Sequence, residues 1–378
     1  MQIQQSILAA ADVARFAPPP LPLPAQLLLA FAAPAFFADD TLAARLRVAY
    51  PQALIVGCST AGEIAGNLVH DERCVLTALA FEHTSVRAVS TVLGTMADSA
   101  AAGAALAAQL PHAGLAAVLL LGTGVAINGS ALVAALEQGL PPGVPLSGGL
   151  AADGGAFART WTLGPGGRAD DQVVAVGLYG SRLALGHGSY GGWRPFGPSR
   201  KITRAVDNVL YELDGERALD IYKAYLGSYA ADLPASGLLF PFELQGGEAH
   251  GGVIRTILGT DDASGSLILA GNVEVDGTLR LMHADTEKLI DGAETAARRA
   301  APAPAPRGQA LAILVSCVGR RLVMGDRIDE EVEAVAAILG ADTLLTGFYS
   351  NGEIAAPAPG APCRLHNQTM TITVLGEY

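Results

Sequence analysis

Charged residues are scarce in this chain of 378 residues, and positive charge is scarcer than negative charge. Charged residues make up 16% of the sequence and apolar residues 51%, which excludes a disordered chain and predicts a packed globular protein. The 24 Lys and Arg residues are outnumbered by 36 Asp and Glu residues, giving a formal net charge of −12. This balance argues against binding to nucleic acid or to an anionic membrane surface.

Cysteines and long apolar runs are also few. The sequence has four scattered cysteines and no Cys-x-x-Cys pair, as is typical of proteins in a reducing cytosol: Cys58, Cys74, Cys317 and Cys363. The longest apolar runs, such as Gly114–Gly122, are about half the length of a membrane span. The N-terminus is mixed in character and is followed by the proline-rich Pro18–Pro24, unlike a secretory signal. We therefore expect a soluble, cytoplasmic protein.

One turn sequence is present twice. Ile55–Ile64 (IVGCSTAGEI) and Leu345–Ile354 (LTGFYSNGEI) both follow an apolar strand pattern and both end in Gly-Glu-Ile. Each is preceded by a strand and an amphipathic helix pattern, over Asp40–Pro51 and Asp329–Gly340, and each is followed by another strand. The repeat predicts duplicated units in the order strand, helix, strand, loop, strand.

A third copy follows from the same pattern. Ala116–Gly122 predicts a strand, Asn128–Leu140 a helix, and Val144–Gly155 a strand and turn. On this alignment Asp153 falls where Glu63 does. The predicted fold class is α/β (mixed α+β), with repeated units that form layered sheets covered by helices.

The chain is expected to form two domains, with a boundary near residue 219. Residues 1–24 are predicted to be an N-terminal flank, 25–219 a first domain and 220–378 a second domain. Ala301–Pro306 is predicted to be an extended surface link within the second domain. Between the third copy and the rest of the chain, the Gly- and aromatic-rich start of Gly186–Gly227 predicts a shaped loop, followed by a helix over Gly215–Leu226.

Eight segments, taken in order, resemble the FIST family in its form with an N-terminal and a C-terminal domain: GCSTAGEI, NVLYELDGERALDIYKAYLG, GLLFPFEL, TILGTD, LMHADTEKLIDGA, LVSCVGRR, GFYSNGEI and CRLHNQTMTIT. The resemblance covers residues 25–378. It implies a sensory module for small ligands in signal transduction. The expected partner is a separate histidine kinase or cyclic-di-GMP enzyme, because no such segment is visible here. A subset of similar proteins senses nitric oxide through haem, which implies haem b as a cofactor.

The turns supply the candidate ligand-binding residues. A carboxylate at the C-terminal end of a strand lies where α/β sheets place their ligand crevices. The alternative is that each carboxylate accepts hydrogen bonds from its own loop. The predicted ligand-binding residues are Cys58, Ser59, Thr60, Glu63, Asp153, Trp193, Tyr349, Ser350, Asn351 and Glu353. Trp193 is either a pocket wall or a packing residue. Gly122–Gly129 precedes a helix N-terminus that can hold an anion, such as the carboxylate of an amino-acid-like ligand.

A haem requires an axial base in an apolar pocket. His366 is the first candidate because it immediately precedes a core strand, His187 in the glycine-rich loop is the second, and His250 is the third. Each is alternatively a hydrogen-bonded structural histidine. Cys363 and His366 have the spacing of half a zinc site, but no second pair follows them.

Two alternatives to a sensor remain. Gly57–Ala61 resembles a nucleophile elbow without its final glycine, so a hydrolase or transferase that uses Cys58 or Ser59 is one alternative. A scaffold without a ligand is the other. The turn differs between the copies, which fits a turn diversified for ligand contact as well as it fits a lone nucleophile. We expect no catalysis.

Overall fold

The structure is a computed structural model that describes residues 1–245, 253–356 and 360–378. Within them, three successive units each build most of one six-stranded sheet. A unit has an edge strand, two inner parallel strands joined by a helix, a short hairpin and a return strand. The elements of unit 1 are β1 (Gln2–Leu8), β2 (Leu27–Ala32), α1 (Thr41–Ala49), β3 (Leu54–Ser59), β4 (Glu63–Ala65), β5 (Leu68–His70) and β6 (Cys74–Ala80).

Unit 2 repeats this order with a helix after its edge strand. Its elements are β7 (Ser85–Val92), α2 (Ser99–Gln109), β8 (Leu115–Gly122), α3 (Gly129–Gly139), β9 (Leu146–Leu150), β10 (Thr162–Gly164), β11 (Gly167–Ala169) and β12 (Gln172–Tyr179).

Unit 3 begins with β13 (Leu183–Tyr190) and is then interrupted by a separate domain. The elements of this inserted domain (residues 194–283) are β14 (Arg194–Val206), β15 (Val209–Leu213), β16 (Glu216–Arg217), α4 (Ala218–Leu226), β17 (Phe242–Gln245), β18 (Val253–Arg255), β19 (Ile257–Asp261), β20 (Ser266–Leu269) and β21 (Thr278–His283). They form an antiparallel sheet with its own hydrophobic core, which includes Ile202, Tyr222 and Leu281.

Unit 3 then resumes with the remaining elements of its pattern. These are α5 (Thr286–Arg299), β22 (Ala310–Cys317), α6 (Val318–Met324), α7 (Asp329–Leu339), β23 (Thr343–Ser350), β24 (Gly352–Ala355), β25 (Arg364–His366) and β26 (Met370–Glu377). The mixed α/β class and the predicted helices of the three copies are thereby confirmed.

The hairpins join the three units into a closed ring, because none pairs within the sheet of its own unit. The hairpin β4–β5 of unit 1 pairs with β23 of unit 3, and β10–β11 of unit 2 pairs with β3 of unit 1. The hairpin β24–β25 of unit 3 pairs with β9 of unit 2. Each sheet therefore consists of four strands from one unit and two from a neighbour.

The three sheets share one central core, and helices cover their outer faces. Phe31, Leu121 and Phe348 belong to the same buried cluster although they come from three different units. The outer clusters lie under α1, under α2 and α3, and under α5 and α7. In α3, Asn128 caps the N-terminus by accepting a hydrogen bond from the backbone of Ala131.

The structural alignment of the units corrects one expectation. Thr162 pairs with β3 as Glu63 pairs with β23 and Glu353 with β9. Thr162, and not Asp153, is therefore the third equivalent of the two glutamates. The sequence alignment was wrong because unit 2 has eleven residues, 151–161, between β9 and β10, whereas unit 1 has three between β3 and β4.

The predicted loop from Gly186 is wrong as well, because Leu183–Tyr190 is the strand β13, paired along its length with β26. Its glycines serve close packing. A Cβ atom at Gly186 or Gly188 would overlap a backbone carbonyl oxygen at the C-terminal end of α5, so only glycine allows the helix to lie directly on this strand. The alternation of the two glycines places both on the same face.

Several elements lie across the predicted domain limits. β1, within the predicted flank, pairs with β6, and β13 pairs with the C-terminal strand β26. The boundary predicted near residue 219 falls within α4 of the inserted domain, and that helix begins at Ala218 rather than Gly215. Ala301–Pro306 connects α5 to β22. Within the described residues, no helix has both the length and the apolar character that a membrane span requires.

Candidate functional site

The two glutamates of the repeated turn are buried and are bonded to their own loops. Glu63 is 1% exposed; its carboxyl group accepts hydrogen bonds from the Thr60 hydroxyl and from the backbone N–H of Arg73. Glu353 is 0% exposed; it accepts from the Ser350 hydroxyl at 2.6 Å and from the backbone N–H of Thr369 at 3.1 Å. This is the arrangement of the structural alternative, in which each carboxyl group serves its own loop.

Burial also changes the ionisation of these groups. Desolvation raises the pKa of Glu63 to about 7 and the pKa of Glu353 to about 8, although their hydrogen bonds lower both. Thr162, at the third equivalent position, hydrogen-bonds the backbone of Gln172 and carries no charge. The buried positions of the two glutamates and their raised pKa values both indicate that these side chains stabilise the hairpins.

The three strand-end turns meet at the centre of the ring, where backbone hydrogen bonds join them. Ala152 donates to Ser59, Tyr349 donates to Gly62, and Asn351 donates to the carbonyl of Leu150. Thr60 and Ala61, in the turn of unit 1, are both buried. The three turns are thus in contact with one another, and the open space lies to one side of them.

The two candidate nucleophiles are enclosed in this packing. Cys58 is fully buried in the central core, and burial raises the pKa of its thiol. The Ser59 hydroxyl is also fully buried; it donates to the carbonyl of Ala152 at 2.7 Å and accepts from the N–H of Trp161 at 2.9 Å. Neither side chain reaches a substrate in this arrangement, so the hydrolase alternative has no accessible nucleophile at this turn.

Tyr349 belongs to a buried charged network under unit 3. Its hydroxyl donates to Glu331 at 2.6 Å, and Ser316 donates to the same carboxylate oxygen at 3.0 Å. Arg320 pairs with the other oxygen at 2.6 Å, and the side chains of both ions are 0% exposed. Arg320 also donates to backbone carbonyls of α5 and of the segment after β13. This network joins separate parts of unit 3.

Asp153 and Trp193 also have structural partners. The Asp153 carboxylate accepts from three successive backbone N–H groups, of Phe157, Ala158 and Arg159, at 2.7 to 2.9 Å. It therefore shapes the long turn of unit 2. The Trp193 indole N–H donates to the carbonyl of Gln368 at 2.8 Å, at the base of the inserted domain.

The two candidate haem ligands that the structure describes, His366 and His187, do not fit a haem. The Nε2 atom of His366 is 3.0 Å from the carbonyl oxygen of Ala355, and its ring is buried in the hairpin β24–β25. His187 has an unpartnered Nε2, but the apolar cavity beside it, where the three sheets meet, measures about 20 Å³. That is room for about one water molecule. Burial lowers the pKa of both imidazoles to about 4.

His250, the third candidate, lies outside the described residues. Among the residues that are described, no group of three or more His, Cys, Asp or Glu side chains is placed to hold a metal ion. Cys363 is buried, and its thiol contacts the carbonyl of Leu146, in the outer core of unit 2.

A cleft of about 270 Å³ opens beside the meeting point of the turns, between the ring and the inserted domain. We call it the interdomain cleft. Its walls are the β8–α3 loop with its flanking turns and the β20 end of the inserted domain: Met96, Gly124–Gly129, Leu150, Phe157, Asn208, Leu258, Ile268–Gly271, Asn351 and Leu365. None of these side chains is charged.

Three large apolar side chains of the interdomain cleft are exposed. Met96 is 43% exposed, Leu258 42% and Ile268 37%, and they come from both sides of the cleft. The polar side chains are amides. Asn128 is occupied in capping α3 and in a 3.1 Å bond to Asn272, whereas the Asn351 side-chain oxygen is buried without a partner. The chemistry suits an uncharged, mainly apolar ligand with a hydrogen-bond donor.

Backbone strain is present in the same walls. Ala126 and Phe157 line the cleft and have φ angles of 55° and 51°, a region that non-glycine residues seldom adopt. Such conformations persist only where the surrounding structure enforces them, and they are frequent at ligand-binding positions.

Of the predicted ligand-binding residues, only Asn351 is among those that line the interdomain cleft. Residues that the sequence analysis missed are Asn208, Leu258 and Ile268 of the inserted domain, and Phe157 of the unit 2 turn. The loop Gly122–Gly129 was noted for its helix N-terminus, but its surroundings in the cleft contain no cationic side chain to support an anion.

Two family models together match most of this chain, across both the ring of α/β units and the inserted domain. The FIST N domain matches residues 26–216, and the FIST C domain matches residues 218–356. The chain belongs to the FIST family. FIST domains are in general small-ligand sensor domains in signalling.

Two mycobacterial proteins similar to this chain are uncharacterized. The chain is 28% identical over 230 residues to an uncharacterized protein of Mycobacterium tuberculosis, Rv0628c, and 28% identical over 223 residues to one of Mycobacterium bovis, Mb0898c. It spans little more than half the length of these relatives, 57% and 56%. A crystal structure of cyanuric acid hydrolase from A. caulinodans aligns over 99% of both chains with 12% identity and a TM-score of 0.35.

Proposed function

We propose that this protein senses a small, uncharged and largely apolar ligand, which binds in the interdomain cleft and changes the position of the inserted domain relative to the ring. The observation that carries the proposal is the uncharged wall of the cleft, with three exposed apolar side chains and the unpartnered oxygen of Asn351. A ligand that bears a donor group satisfies that oxygen and covers the apolar surface.

The proposed response depends on how the inserted domain is attached. Its two ends leave the ring side by side, since Arg194 pairs with His283 at the base of the domain. Polar contacts hold the other side: Asn128 to Asn272 at 3.1 Å and the Gln368 amide to the carbonyl of Leu238 at 2.9 Å. A ligand that contacts both walls favours one relative position of the two bodies, and its differential affinity sets the size of the shift.

A partner that contacts both bodies can recognise the change. A histidine kinase or a cyclic-di-GMP enzyme is the partner class implied by the family. Haem-based sensing of nitric oxide does not enter this proposal, because His187 and His366 do not fit a haem in the arrangement described above.

The ligand site is tested by filling the cleft. Ala270 lines it from the inserted domain, so an Ala270→Trp substitution puts an indole ring in the space of the ligand. The matched control is Ala263→Trp, at an exposed turn of the same domain. A panel of neutral small molecules, with free amino acids and nucleotides as charged comparisons, is screened by thermal shift, because a ligand that binds only the folded state raises the melting temperature.

We expect a neutral compound to stabilise the native protein and the Ala263→Trp variant, and we expect Ala270→Trp to abolish that stabilisation. A compound that stabilises all three proteins equally binds elsewhere and contradicts the proposed site. Stabilisation by charged metabolites alone, lost in Ala270→Trp, contradicts the proposed ligand class.

A further inference from the structure

A buried arginine packs against Gly271, one of the residues that line the interdomain cleft. Arg255, the last residue of β18, is 6% exposed. Its Nε donates to the carbonyl oxygen of Asn272 at 3.2 Å, and its Nη1 donates to those of Ile254 at 3.3 Å and Leu365 at 3.1 Å. These bonds connect the inserted domain to the hairpin β24–β25 of the ring.

Within the part of the chain that the structure describes, no carboxylate pairs with Arg255. Its partners are uncharged carbonyl groups. Burial first, and then repulsion by Arg364, lower the pKa of its guanidinium to about 10. A buried charge without a counter-charge destabilises the native state strongly. An anion that binds beside it and supplies the counter-charge therefore stabilises the native state.

A cavity is present where such an anion would lie. It measures about 70 Å³ and is lined by Arg255 and Arg364 together with the amide side chains of Gln245 and Asn272 and the hydroxyl of Thr278. On the measure by which the 20 Å³ cavity beside His187 holds about one water molecule, this cavity holds a few, so it suits one small oxyanion and is too small for a nucleotide. Glu274 is also on the wall, and its side chain is exposed.

From this geometry we propose that the cavity at Arg255 is a binding site for a small oxyanion, a carboxylate, sulfate or phosphate group. Guanidinium groups bind such groups through paired, charge-assisted hydrogen bonds. The site is distinct from the interdomain cleft, but Leu365 takes part in both: its carbonyl accepts from Arg255 and its side chain lines the cleft. The bound anion would therefore strengthen the junction between the inserted domain and the ring.

The test is a titration of the full-length protein, exchanged into a buffer without oxyanions, with sodium sulfate and separately with sodium acetate. Sodium chloride at equal ionic strength controls for general screening. We expect the melting temperature to rise and saturate with one of the oxyanions. The Arg255→Gln variant should lose this rise, whereas Arg280→Gln should keep it, because Arg280 is a surface arginine of the same sheet paired with Glu243.

Two further variants keep the result interpretable. Arg364→Gln leaves the three carbonyl bonds of Arg255 in place, so it tests the site if Arg255→Gln does not fold; we expect about tenfold weaker anion binding. The proposal is overturned if the native protein does not respond, if its response does not saturate, or if the response survives in both arginine variants. Ala270→Trp should leave the anion response intact, which separates this site from the ligand site.

Discussion

Replacing Glu353 by Gln tests whether the buried carboxyl groups serve the hairpins in their neutral form. Burial raises the pKa of Glu353 to about 8, from an ordinary value of 4.5. The native state therefore holds this proton more tightly than the unfolded chain does. The free energy of unfolding should fall as the pH rises from 4.5 to about 8 and should change no further above that. The Glu353→Gln variant cannot ionise, so this loss is absent from it.

The magnitude follows from the same values. A native pKa that is higher by about 3.5 corresponds to about 5 kcal/mol at about 1.4 kcal/mol for each pH unit, which is an order-of-magnitude upper value. The amide can keep the hydrogen bonds, with its oxygen towards the N–H of Thr369 and its NH₂ group towards the Ser350 hydroxyl. At about pH 5 the variant should thus lie within about 1 kcal/mol of the native protein. Near pH 9 it should be more stable by several kcal/mol.

The assay is urea unfolding followed by circular dichroism over this pH range. Glu333→Gln, on the exposed face of α7, is the control, and its pH curve should run parallel to that of the native protein. Glu63 contributes equally to the native and variant proteins, so the difference between them isolates Glu353. Parallel curves for native protein and Glu353→Gln would refute the reasoning, since they would mean that the pKa of Glu353 is the same in the native and unfolded states.

Two predictions concern the framework of the ring. In Gly57→Ala the new methyl group overlaps the carbonyl oxygen of Ala30 on the neighbouring strand, so chemical denaturation should show a loss of about 3 kcal/mol. Gly166→Ala, whose Cβ meets only a side-chain atom at 3.8 Å, should lose far less, and equal losses would contradict the close approach. Glu331→Ala leaves Arg320 buried without its partner and should cost about 3–5 kcal/mol. In the double variant with Arg320→Ala the losses should be clearly less than additive; strict additivity in the cycle would argue against the pair.

The elements of each unit could be predicted because their signals are local. The helices α1, α3 and α7 show apolar spacing and end signals in sequence, and the inner strands are continuous apolar runs. The strand β13 could not be predicted, because its glycines are typical of loops in isolation. The glycines are needed because β13 packs directly against α5, a helix that lies about a hundred residues further along the chain.

The candidate site was predicted only in part, for a related reason. Asn351 was found because the turn repeats, and the turns do converge. The roles of Glu63 and Glu353 depend on burial, which local sequence does not reveal. Ile268 and Phe157 line the cleft because the inserted domain docks there and because Asp153 folds the long turn back. No pattern in the sequence indicates either contact.

Each unit contributes its hairpin to the sheet of a neighbouring unit, and this arrangement restricts how the sequence of the ring can diverge. Loss of a single unit leaves one neighbouring sheet without its hairpin, and the hairpin of the other neighbour loses the strand with which it pairs. The three units must therefore change together. The inserted domain is under no such restriction, since its core is its own and its ends lie side by side at Arg194 and His283. It provides half of the cleft wall. Under the proposed function, changes in this domain alone would alter the ligand preference while the ring stays intact.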